Sequence, residues 1–396
     1  MAMCIGNGQQ ASTGAFHSAG RTRLRPGLLT STRLAFVVPG YAISSWAPLI
    51  PHVQERIGLD AGRLGLALLA LGAGSMATMP FAGWLVGKTG CRRLFATAGC
   101  AIAAILPMLA IVRTALMLSV TLFALGVALG LISCARNLHA IYTERALDRR
   151  LMSGFHGFYS VGCIFGAGTM SLLMGTGVAP HLSIVVVASL ILLGVLISTP
   201  RITDQRSGKG PAYARPRGVV LVIGLLCFIT FMAEGSVLDW SALLLSDHFG
   251  LDAARAGLGY VAFAITMTGG RLMGDRLVRR FGDRHMLLSG PLIAAAGFIL
   301  ATVPLHWTLA VGGFALVGAG LANVVPLLYS AVGRQTIMPQ NLALTAAGSI
   351  GFAGVLTGPA AIGFLAEWAS LATSFLLLAF LTAIVARFAP QTARGH

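Results

Sequence analysis

The chain has 396 residues and a formal net charge of +16, yet only 10% are charged and 56% are hydrophobic, for a mean hydropathy of +0.82. A water-soluble globule carries about 25% charged residues, so lipid is the solvent for most of this chain. The basic residues sit in short loops between apolar segments, where anionic lipids and the positive-inside rule account for them, so no nucleic-acid partner is implied.

Residues 1–27 are polar and basic and lack the continuous apolar run of a secretory signal, so a disordered cytoplasmic tail is expected. Windows of about 20 apolar residues then recur, each long enough to cross a hydrocarbon core of roughly 30 Å, without the alternation of barrel strands. Six fall at about 34–50, 60–86, 94–112, 116–138, from 152 onward, and 181–199. Residues 200–217 carry Asp204, Arg206, Lys209, Arg215 and three prolines without apolar periodicity, and form a cytoplasmic linker. Six more spans fall at about 219–245, 253–275, 286–304, 308–331, 342–365 and 370–388, before a short tail at 391–396. The expected fold is an all-α membrane protein with twelve transmembrane helices in two six-helix bundles, 28–199 and 218–390.

The bundles are copies of one another. Gly58-Leu59-Asp60-Ala61 with Arg63, Gly65 and Leu66 returns 192 residues later as Gly250-Leu251-Asp252-Ala253 with Arg255, Gly257 and Leu258. At the same offset Leu85, Val86, Gly90 and Arg92 meet Leu277, Val278, Gly282 and Arg284, and Gly162 and Gly166 meet Gly354 and Gly358. A register held across three separate segments marks an internal repeat. The bundles are therefore pseudo-symmetric, and function is expected where they meet. Of 28 basic residues 24 lie on the side of the termini and linker, leaving Arg56, Arg63, Arg113 and Arg255 opposite, so both termini are expected in the cytoplasm. Asp60 and Asp252 are placed to cap the helices they precede.

Among polar residues inside spans, Glu234 is the leading candidate, because an ionisable group at mid-membrane costs on the order of 3 kcal/mol and marks a functional site or a buried hydrogen bond. Thr230 and Ser241 share its helical stripe at i−4 and i+7. Asp239 lies about 140° away on an ideal helix, so it joins Glu234 in one cavity only if the helix unwinds near Gly235; otherwise it belongs to the outer interface. Arg136 and Asn137 near the inner end of span four and His156 near that of span five form a candidate polar cluster, with snorkelling and packing as the plainer readings. Asn323 in span ten is placed for substrate binding or helix-helix adhesion. Tyr41, Ser45 and Trp46 on span one offer hydroxyl and stacking contacts to a polar ligand.

Several chemistries drop out. Cys100, Cys134, Cys163 and Cys227 lie in spans, Cys91 in a loop and Cys4 in the tail, with no CxxC pair or histidine cluster, so neither a disulfide framework nor a metal site is expected. Gly87-Lys88-Thr89 lacks the upstream glycine of a phosphate loop, since Ala82 stands there, and no strand precedes the glycines from Gly72. No cofactor and no enzymatic activity are expected.

Gly83-Trp84-Leu85-Val86-Gly87-Lys88-Thr89-Gly90-Cys91-Arg92-Arg93 resembles the loop signature of the major facilitator superfamily, and Gly274 to Arg284 resembles its second copy. A narrower similarity to the MosC-like branch rests on Tyr41 to Pro51, Ser153-Gly154-Phe155-His156, Ala233-Glu234-Gly235, Asp239-Trp240-Ser241, Gly270-Arg271, Gly274-Asp275, Asn323-Val324-Val325-Pro326 and Gly358-Pro359. The resemblance implies a major facilitator fold with a central cavity that opens alternately to each side, and a carrier of small polar, sugar-like molecules. The chain departs from the signature where its acid belongs, at Gly87 and Arg279. Arg271, Asp275 and Arg279 follow at i, i+4 and i+8, so a replacement latch is expected in which Asp275 pairs with either arginine along one helix face. The cytoplasmic gate is thus assigned to Gly83, Gly90, Arg92, Arg271, Asp275, Arg279, Gly282 and Arg284. The expected protein is a monomeric secondary transporter of the cytoplasmic membrane, driven by protons; its rivals are an exporter of amphipathic toxic compounds and a non-transporting ligand sensor.

Overall fold

The computed structural model describes residues 27–59, 61–204, 215–251, 257–303 and 305–393. Expectations for the amino-terminal tail, the Asp60 and Asp252 caps, most of the linker and the last three residues lie outside them. Among the described residues every regular element is helical. The first bundle contains α1 (Leu28–Trp46), α2 (Ile50–Ile57), α3 (Ala61–Thr89), α4 (Cys91–Leu109), α5 (Ala115–Leu147), α6 (Met152–Gly175) and α7 (Pro180–Ser198). The second contains α8 (Val219–Phe249), α9 (Leu258–Thr302), α10 (Trp307–Leu321), α11 (Val324–Arg334), α12 (Gln340–Trp368) and α13 (Leu371–Thr392).

By length and composition ten described helical segments suit a membrane crossing, with α10 and α11 forming one of them. The 45-residue α9 breaks at Gly282, whose φ of 80° and ψ of 155° no helix contains, so it crosses twice. Gly90, at the equivalent place in the first bundle, has φ 84° and ψ 157°. Only glycine adopts that conformation without a Cβ penalty, which is why the duplicated loop keeps a glycine there. With α9 divided and α1 added, the twelve expected spans are present. Two spans differ in detail from the expectation. The α8 helix runs unbroken through Gly235, where no proline interrupts its ladder of backbone bonds, whereas span ten breaks at Ala322–Asn323 between α10 and α11.

The repeat extends to packing. Helix α1 lies along α6 and α8 lies along α12, and a Cβ at Gly162 or Gly354 would overlap the carbonyl of Val37 or Phe228. Small residues at these positions let the backbones touch, the main source of helix attraction where the solvent is already apolar. The bundles then meet through α3 against α12 and α6 against α9. Inside each bundle Ile102, Leu106, Leu118 and Leu122, and Phe298, Phe314 and Phe375, are fully enclosed. Outside, Leu116 and Phe364 are each 74% exposed, an arrangement costly in water and neutral against lipid tails.

The up-and-down path gathers the arginine-rich loops at one face. There Ser31 Oγ donates to Ser198 O at 2.9 Å, joining α1 to the end of α7, and Arg92 Nε donates to Ile202 O at 3.0 Å, tying the start of the linker to the first bundle. At the opposite face Arg56 donates to the carbonyls of Leu109, Ala110 and Val112, supplying donors to the acceptors left free at and just beyond the C-terminal end of α4.

Candidate functional site

A cavity of about 630 Å³ lies between the bundles, within the size range of small-molecule sites. Its floor is near the arginine-rich face, where Tyr329 and His156 are 6% and 8% exposed; its mouth is toward the other face, where Leu238 and Ile164 reach 54% and 62%. Three charged side chains line it: Arg136 from α5, Glu234 from α8 and Arg271 from α9.

Glu234 and Arg271 form an ion pair, with Arg271 Nη2 at 3.2 Å from Oε2 and 3.4 Å from Oε1. Both side chains are largely buried, so their attraction is set against the loss of hydration and the pair contributes little net stability. Its chemical consequence is that the carboxylate, if protonated, releases a guanidinium into the cavity.

Arg136 is different. Its guanidinium lies 4.6 Å from the ring centroid of Phe36 and 4.5 Å from that of Tyr159. Nη2 donates to Ser133 Oγ at 3.3 Å, while Nε and Nη1 have no partner among the described residues. Beside it, Asn137 Oδ1 and His156 Nε2 are also buried without partners. The His156 ring is held edge-on to Phe36 at 5.2 Å and tilted against Tyr329 at 6.0 Å.

Below the cavity the bundles are joined by a row of contacts, all at the arginine-rich face. Asp275 Oδ1 of the second bundle accepts the backbone N–H of Gly154, in the first turn of α6, at 3.0 Å. Glu144 Oε1, from the first bundle, accepts the N–H groups of Leu151 and Met152 in that turn at 2.8 and 3.0 Å, while its Oε2 accepts from Ser330 Oγ of the second at 2.8 Å. Two carboxylates thus meet one helix N-terminus, where free N–H groups and the helix dipole favour negative charge. Arg145 donates to Gly333 O, Asn341 Nδ2 donates to Gly83 O at 2.7 Å, and Asp283 lies between Arg334 at 3.0 Å and Arg150 at 3.5 Å.

The structure brings Glu234, Arg136, Asn137 and His156 to the cavity and leaves the other sequence candidates outside it. Thr230 is fully buried and donates to Leu226 O at 2.8 Å; Ser241 is also fully buried. Asp239 is exposed, because the unbroken α8 turns it away from Glu234. Ser45 bonds to the carbonyls of its own helix at Tyr41 and Ala42, and Tyr41 and Trp46 pack within the first bundle. Asn323 Nδ2 donates to Gly270 O at 3.2 Å, joining two helices of the same bundle.

The gate assignment also changes. Arg271 does not pair with Asp275 along α9, because it turns to Glu234 on α8 while Asp275, one turn on, reaches α6. Arg279 and Arg284 are exposed, and Arg92 holds the linker rather than the opposite bundle. Gly83 contacts the opposite bundle, whereas Gly90 and Gly282 shape their loops. Sequence reasoning missed Glu144, Asp283, Ser330 and Asn341 at the seal, and Phe36, Tyr159 and Tyr329 around Arg136. The scarcity of acids was an available signal, since only 12 Asp and Glu occur in the chain, and Glu144 and Asp283 are among the few that stand directly before arginines.

Two pseudo-symmetric six-helix bundles around a cavity closed at one end and open at the other define a carrier of the alternating-access class. The family model of the Major Facilitator Superfamily matches residues 34–336 and again residues 223–394, the second match falling in the second copy of the repeat. The chain belongs to that superfamily and is a membrane-spanning transporter. It is 44% identical over 376 residues to an uncharacterized MFS-type transporter of Yersinia pestis, covering 94% of this chain and 98% of that protein. It is 28% identical over 360 residues to the membrane protein MosC of Rhizobium meliloti, covering 90% of this chain and 88% of that protein. Its fold is similar to the crystal structure of the fucose:proton symporter FucP of Escherichia coli, with a TM-score of 0.75 at 18% identity, covering 94% and 100% of the two chains.

Proposed function

We propose that this protein is a proton-coupled secondary transporter that moves a small polar solute across the cytoplasmic membrane, with the arginine-rich face and both termini in the cytoplasm. The observation that carries the reading is the Glu234–Arg271 pair at the wall of a cavity open to one side. On this orientation the structure is outward-facing. Protonation of Glu234 from outside neutralises the carboxylate and frees Arg271 for the solute. Closing of the mouth and opening of the seal then deliver solute and proton inward, where loss of the proton restores the pair. The monomer suffices, because both halves of the site come from one chain. Similarity in fold to a fucose:proton symporter is consistent with a polar solute and proton drive.

The test is uptake in proteoliposomes of a solute chosen by thermal-shift screening against sugars, inositol derivatives and organic acids. An inward pH gradient is expected to drive uptake by the natural protein, and Glu234→Gln to retain exchange but lose the response to the gradient. Full gradient-driven uptake by that variant would end the proton role, and binding without flux would favour a sensor. Phe231, Phe263, Phe352, Met79 and Met267 in the cavity wall favour a second reading, export of amphipathic compounds. Against it, Glu234 faces the cavity with a charged partner instead of packing among neighbouring helices.

A further inference from the structure

Arg136 has no role in the proton step, and its surroundings are those of an unfinished anion site. It is 6% exposed, and no carboxylate among the described residues forms an ion pair with it. A buried charge without a counter-ion is retained only where something supplies the missing negative charge, since the loss of hydration is otherwise uncompensated. The aromatic rings of Phe36 and Tyr159 lie over the guanidinium and stabilise the cation by their quadrupoles, but they provide no acceptor for Nε–H and Nη1–H.

We propose that Arg136 binds the carboxylate of a small hydroxy acid, which makes the transported solute an organic monoanion rather than a neutral sugar. While Glu234 and Arg271 are paired they cancel, and the charged lining of the cavity leaves one positive charge, at Arg136, for a carboxylate to meet; protonation of Glu234 then adds the N–H groups of Arg271 for the hydroxyl oxygens of the same ligand. Rings over the guanidinium leave its edge for the ligand, and a carboxylate oxygen meets guanidinium N–H groups in their plane. The partnerless Asn137 Oδ1 requires a donor, and His156 Nε2 takes either role, so the rest of the ligand carries hydroxyl groups. A volume of about 630 Å³ holds a six-carbon acid with water to spare.

The proposal rests on the transport reading only in calling the ligand a solute, and its test is binding. Purified full-length protein is melted in matched ionic strength with galacturonate against galactose, glucuronate against glucose, lactate against glycerol, and sodium sulfate. The acid of at least one pair is expected to raise the Tm, with its neutral partner and sulfate inert. Arg136→Gln is expected to weaken that binding by about thirtyfold or more and Arg136→Lys to retain part of it. Without ligand, Arg136→Gln is expected to melt no lower than the natural protein, because an uncompensated charge has been removed; a purely structural cation between rings predicts a lower Tm. Equal shifts by an acid and its neutral partner, by sulfate and the acids, unchanged acid binding in Arg136→Gln, or no shift by any acid would each overturn the proposal. Should Arg136→Gln not fold, the matched pairs and Arg136→Lys decide. Binding of an acid with no flux in proteoliposomes would count against transport and leave the anion site standing.

Discussion

The seal and the cavity use the same side-chain chemistry for opposite purposes. At the seal each carboxylate accepts a bond from the opposite bundle: Asp275 from the N–H of Gly154, and Glu144 from Ser330, in addition to the first turn of α6 in its own bundle. In the cavity the Glu234–Arg271 ion pair lies within the second bundle, and Arg136, Asn137 and His156 of the first bundle each keep polar atoms without partners among the described residues. Complete bonds between bundles hold one conformation, and the same bonds must be broken in every transport cycle. Incomplete ones are left for a ligand to finish. A transporter needs both, since a ligand shifts a conformational equilibrium only by contacts that differ between the states.

The largest expected effect separates the internal pair from the bonds between bundles. Arg271→Gln leaves Glu234 buried alone and is expected to lower stability by about 3–5 kcal/mol, whereas Glu234→Gln with Arg271→Gln recovers most of it. Thermal unfolding of the single and double variants checks this, and additive losses would mean that the two do not act as a pair.

Asp275→Ala comes next. It removes a charged acceptor from the seal, worth about 1.5–3 kcal/mol, and is expected to favour the state open at the arginine-rich face by roughly ten- to hundredfold. Spin-label distances between positions 149 and 280, in a cysteine-free background, should lengthen; an unchanged distribution would remove Asp275 from the seal. Ser330→Ala removes one of the three bonds to the Glu144 carboxylate, at the low end of the range for charged acceptors, about 1.5 kcal/mol, and should move the same distribution by about tenfold. Asp283→Asn should have the smallest effect on that distribution, below about 1 kcal/mol, because its partner across the seal, Arg150, is 42% exposed and exposed pairs contribute little, whereas its nearer partner Arg334 belongs to the same bundle. A shift as large as that of Asp275→Ala would show that the rim charges, and not the α6 terminus, hold the seal.

The duplicated architecture was legible in the sequence because glycine and charge positions constrain the backbone locally: Gly90 and Gly282 share one left-handed conformation 192 residues apart. Glu234 was legible for a similar reason, as a charge among apolar neighbours. Its partner was not. Spacing along α9 reveals that Arg271 and Asp275 share a helix face but not which helices stand opposite, and those helices captured the two side chains separately. The same blindness misplaced Thr230 and Ser45, whose hydroxyls are taken by carbonyls one turn back on their own helices. Arg136, Asn137 and His156 were visible as residues, while the rings of Phe36 and Tyr159 were not, since an aromatic residue in a lipid-exposed sequence carries no mark of the cation it will cover.

The double occupancy of the α6 terminus sets how the seal comes apart. When the second bundle swings away it takes Asp275 and Ser330 with it, but Glu144 travels with α6 and keeps its grip on the N–H groups of Leu151 and Met152. Only the amide of Gly154 is uncovered, at the very place where the widening crevice admits water to replace the departing oxygen. At this terminus each swing therefore exchanges the Asp275 acceptor at Gly154 for water, and the α6 end opens while keeping the two bonds that Glu144 holds.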